Sequence, residues 1–105
     1  MPNRHRGEIE AELGGERRTL VLTLGALAEL ESAFGAGDLV ALAERFETGR
    51  MSAGDAIKVI GAGLRGAGNE ISDAEVARLA APGGAAGYVK IVSDLLAATF
   101  GSPPP

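Results

Sequence analysis

The chain has 105 residues, room for one small domain, and its 46% hydrophobic and 23% charged residues specify a folded protein rather than a disordered one. A net charge of −4 argues against nucleic-acid binding, which calls for a basic face. The absence of cysteine excludes disulfides and thiolate metal sites, and no apolar run reaches the roughly 18 residues that span a bilayer.

Residues 1–7 read as a flexible arm; its basic residues are not followed by an apolar core, so it does not read as a signal peptide. From Glu8 the sequence alternates, with Ile9, Ala11 and Leu13 on one face and Glu8, Glu10 and Glu12 on the other, the pattern of a half-buried strand. Gly14-Gly15 suits a two-residue hairpin turn, and the return strand runs over Arg17 to Thr23 with Leu20 and Leu22 inward. Arg17 or Arg18 is placed to pair with the glutamate row across the hairpin.

A first helix is expected over Leu24 to Phe34, with Leu24, Leu27, Ala28, Leu30 and Phe34 inward and Gly35 as its stop. A second starts at the N-cap Asp38, buries Leu39, Leu42, Ala43 and Phe46, and ends at Gly49. A third starts at Ser52, where Ser-x-x-Asp resembles a capping box. It carries Ile57, Ile60 and Leu64 and ends among Gly66 and Gly68. Ser72-Asp73-Ala74-Glu75 is a full capping box opening a short fourth helix through Val76 and Leu79. Pro82-Gly83-Gly84 breaks it, and a fifth helix over Ala85 to Phe100 sets Tyr88, Ile91, Val92, Leu95 and Thr99 on one stripe. The Ser-Pro-Pro-Pro tail after Gly101 cannot be helical and reads as disordered, leaving residues 8–100 as a single domain. The fold class is therefore α+β: mostly helical, with about five short helices packed on one N-terminal hairpin.

No catalytic constellation emerges. The glutamate row reads as a solvated strand face rather than a metal site, and His5, the only histidine, sits in the arm without an orienting partner. Gly61-Ala62-Gly63 lies inside a helix, so it lacks the strand-to-helix context of a dinucleotide fingerprint and marks close helix packing instead. No catalytic residue, cofactor or metal ligand is assigned. Parts of the apolar stripes are the candidate partner-binding surface, with Leu39, Leu42, Phe46, Leu95, Leu96 and Phe100 as its residues, in the helix-in-groove mode.

The order RGEIEAELGGERRTLVLTLGALAELE, then GAGDLVALAERFETGR, then GLRGAG and ISDAEV resembles the small tail-assembly proteins of gene transfer agents and siphophage-like elements, over roughly residues 6–100. The most specific parts are Leu24 to Glu31, Gly37-Asp38-Leu39, and Arg45-Phe46 through Gly49. The resemblance implies a tail assembly chaperone, also described as tail-tube-associated. Such a chaperone would shield the tape-measure protein and recruit tail-tube subunits. The alternatives are a structural component retained in the particle and, from another class, a metabolite-binding regulator or small enzyme. The expected setting is the cytoplasm of a bacterial producer cell, with virion association and homo-oligomerisation left open and neither nucleic acid nor membrane as a partner.

Overall fold

Glycines 14 and 15, with φ of 64° and 81°, turn the chain sharply enough to pair β1 (Glu8–Leu13) with β2 (Glu16–Val21) in antiparallel register, Leu13 opposite Glu16 and Ile9 opposite Leu20. The computed structural model describes residues 7–47 and 51–101. The predicted arm (apart from Gly7), His5, Gly49 and the Ser-Pro-Pro-Pro tail lie outside them. Five helices follow the hairpin: α1 (Leu24–Phe34), α2 (Leu39–Glu47), α3 (Ala53–Gly66), α4 (Asp73–Val76) and α5 (Ala85–Phe100). The architecture is mostly helical α+β, as the periodicities require.

One core joins all these elements. The hairpin's inner face (Ile9, Leu13 and Leu20) meets Val59, Ile60 and Leu64 of α3 and Ile91, Val92 and Leu95 of α5. Burying side chains of this size contributes about 1.5–3 kcal/mol each, the main force holding a two-stranded ribbon that would be marginal alone. On the outer face Arg17 donates to Glu10 at 2.6 Å, the cross-strand pairing anticipated above; Arg18, on the same side of β2 as Leu20, donates to Glu16 and to the Leu13 carbonyl.

Close approach explains the small residues of α3. A Cβ on Gly63 would sit 2.7 Å from the Leu95 side chain, and one on Gly66 only 2.1 Å from the Val21 carbonyl oxygen. The Gly61–Gly63 stretch is buried, so its smoothness serves internal packing.

The caps define the element ends. Ser52 and Ser72 each form a reciprocal capping box, with Asp55 and Glu75, and Asp38 accepts from the Ala41 N–H at 2.8 Å. Gly35 ends α1 in the left-handed conformation. The return strand stops at Val21 rather than Thr23, because Thr23 leaves the ladder to accept the Ala26 N–H as N-cap of α1.

Three inward assignments are corrected. In α1 the buried arc is Ala26, Leu27 and Leu30 with Phe34 half-buried, while Leu24 is 75% exposed and Ala28 is exposed. The stripe is wider than the surface α3 can cover, and Leu24 and Ala28 fall on its uncovered flank. In α2 only Leu42 is fully buried, while Leu39 is 40% exposed. That helix leans on the rest through Leu42 and through Phe46, whose ring meets Phe34 edge-on at 5.5 Å and Phe100 at 6.4 Å.

Arg65 ties three helices. Its guanidinium binds Glu29 of α1 and Asp73 of α4 and donates to the Ile71 carbonyl. Burial works against the charge, but the hydrogen bonds and charges of Glu29 and Asp73 outweigh it and raise the pKa, so the guanidinium stays charged. Replacing Arg65 by lysine keeps the charge but loses the fork. The expected loss is about 1 kcal/mol in urea unfolding, shrinking in high salt.

Candidate partner-binding groove

The facing surfaces of α3 and α5 do not close fully. Ser52, Ala53, Ala56 and Ile57 along α3 confront Tyr88, Val89, Ser93 and Leu96 along α5 across a groove of about 620 Å³. Buried Ile60, Val76 and Val92 contribute to its lining, joined by Phe46 and Met51 and by Ala77 and Ala85. The helical period decides what lines it. Val89 lies beside the core stripe of Tyr88, Ile91, Val92 and Leu95, so it points into the groove and remains 67% exposed.

The lining is uncharged, since Asp55, Lys58, Lys90 and Asp94 all project from the other sides of their helices. Their partners lie there too: Asp55 pairs with Arg45, Lys58 sits over the Phe34 ring, and Lys90 pairs with Asp94. Of the few polar groups, the Ser52 hydroxyl is already engaged as the cap of α3. A polar metabolite would find few convergent hydrogen-bonding groups here, whereas an apolar helix face would find a matching wall.

The six sequence-derived residues are divided by the fold. Phe46 and Leu96, both half-buried, come together in the groove lining. Leu42 and Leu95 are fully buried and present no surface; Leu95 fills the space above Gly63. Leu39 (40% exposed) and Phe100 (38% exposed) lie outside the groove. Sequence reasoning passed over Met51, Ala56, Ile57, Tyr88 and Val89 as groove residues. The available signal was Val89, an apolar residue one position off the core stripe of its helix.

A family model described as phage tail tube protein, GTA-gp10, matches residues 6–102, nearly the whole chain. The chain belongs to this phage tail family. Searches of curated proteins and of solved structures gave no match. Membership places the protein among gene transfer agent and phage tail proteins, whose business is protein–protein contact. Among the described residues, no helix is long and apolar enough to cross a membrane, and no three acidic or imidazole groups converge as metal ligands.

Proposed function

We propose that the protein is a non-enzymatic tail assembly factor that holds an apolar helical segment of the tape-measure protein in the α3–α5 groove until tail-tube subunits polymerise. The groove carries this reading: its lining runs along α5 from Ala85 to Leu96, and it is uncharged and open to solvent. Phe46, Leu96, Ile57 and Val89 are the contact residues, and Leu42 and Leu95 support them from the core. A tube wall built by sheet pairing needs extended strands, whereas the described residues contain one hairpin of six-residue strands.

The second reading is a structural component retained in the tail, favoured by the family's description as a tail tube protein. Quantitative mass spectrometry of purified particles separates the two. The assembly factor should be absent from finished particles, or present far below the tube subunit; stoichiometric recovery with the tube would establish the structural component instead.

A further inference from the structure

The groove is not the only surface built for contact. Among the described residues the sheet contains β1 and β2 alone, so each strand has a side turned away from its partner. A two-residue turn closes on a hydrogen-bonded pair, here Leu13–Glu16, and alternation sets the next bonded pairs at Ala11–Arg18 and Ile9–Leu20. The N–H and C=O groups of Glu10 and Glu12 therefore point outward from β1.

The two outer sides differ. That of β2 is covered: the Asn69 side chain donates to the Thr19 carbonyl, and Gly66 of α3 rests against the Val21 carbonyl. On β1, no backbone hydrogen bond from another described element reaches Glu10 or Glu12. Both residues are exposed, and their side chains share the face of Glu8. Arg17 binds Glu10, and Glu12 has no ion pair among the described residues.

We propose that the outer edge of β1 accepts an extended segment of another protein carrying Lys or Arg at alternate positions. Backbone groups of Glu10 and Glu12 would extend the sheet, and the glutamate row would meet the basic side chains as cross-strand neighbours. The same charges disfavour a second copy, because β1 against β1 sets glutamates opposite glutamates. This surface is separate from the groove, and the proposal stands independently of the function assigned there.

The test uses the whole protein and a capped hexapeptide alternating valine and lysine, with the glutamate-for-lysine peptide as control. Binding of the lysine peptide should slow hydrogen exchange at the Glu10 and Glu12 amides, and the control peptide should leave them unchanged. The double variant E10Q/E12Q, at exposed positions, should retain the fold and bind about tenfold more weakly. E12P removes an outward N–H without touching the β1–β2 ladder and should reduce binding likewise if circular dichroism shows it folded. The proposal is overturned if the two peptides bind equally, if the lysine peptide protects no β1 amide, or if E10Q/E12Q binds as tightly as wild type. A dimer of the unmodified protein that protects the same amides would assign the edge to a second copy and overturn it as well.

Discussion

Replacing Gly66 by alanine should lower stability by about 3 kcal/mol, a shift of roughly 15 °C in the thermal midpoint for a domain of this size. The added Cβ would sit 2.1 Å from the Val21 carbonyl oxygen and 3.3 Å from its carbon. Both obstacles are backbone, so no rotamer change relieves the clash. The end of α3 and the end of β2 must move apart, and the hairpin shares its core with that helix through Leu20 and Leu64. Gly37→Ala is the control, because nothing lies within 4 Å of a Cβ there and its φ is not positive. That variant should stay within about 0.5 kcal/mol of wild type. Equal effects from the two substitutions would show that the α3–β2 contact is looser than described.

The second large effect concerns the groove. Val89→Asp should weaken binding of an apolar tape-measure helix by about a hundredfold, or roughly 3 kcal/mol, because the carboxylate would be desolvated against an uncharged wall. Folding should be little affected, since Val89 is 67% exposed in the free protein. Leu24→Asp provides the matched comparison: Leu24 is 75% exposed and lies on α1, away from the groove. Titration calorimetry with a purified tape-measure segment should show a loss for Val89→Asp and none for Leu24→Asp. Equal losses would mean that overall charge, rather than the groove, governs the interaction.

Much of the fold is legible in the chain because local chemistry and packing agree. Ser52 and Ser72 cap helices, Gly35 ends one, and the period-two face of Ile9, Ala11 and Leu13 is the face the core covers; Thr23, read as the end of the strand, is instead the cap of α1. The bounds of α1 and α5 follow from the same signals. Burial is less legible where a helix has few neighbours. Leu24 and Leu39 repeat at helical spacing as well as Leu27 and Leu42 do, yet no element covers them. Periodicity names an apolar face but not the width its neighbours can bury.

The groove was harder still to read. Its walls come from α3 and α5, and Phe46 reaches it from a third helix, so no single segment carries its signature. Periodicity sets Leu95 on the inward stripe of α5 and Val89 one position off it; the first meets Gly63, while the second is exposed on the groove wall. Only the pairing of α3 with α5 shows that this off-stripe position lines a groove. The family, by contrast, is carried by the order of motifs along nearly the whole chain, which the match over residues 6–102 reflects.

Site-specific photo-crosslinking during co-expression with the tape-measure protein tests the central claim most directly. A crosslinker at position 89 or 57 should capture the tape-measure protein, while one at position 24 should not. Failure to capture it at positions 89 and 57, or equal capture at position 24, would contradict the assignment of the groove as its binding site.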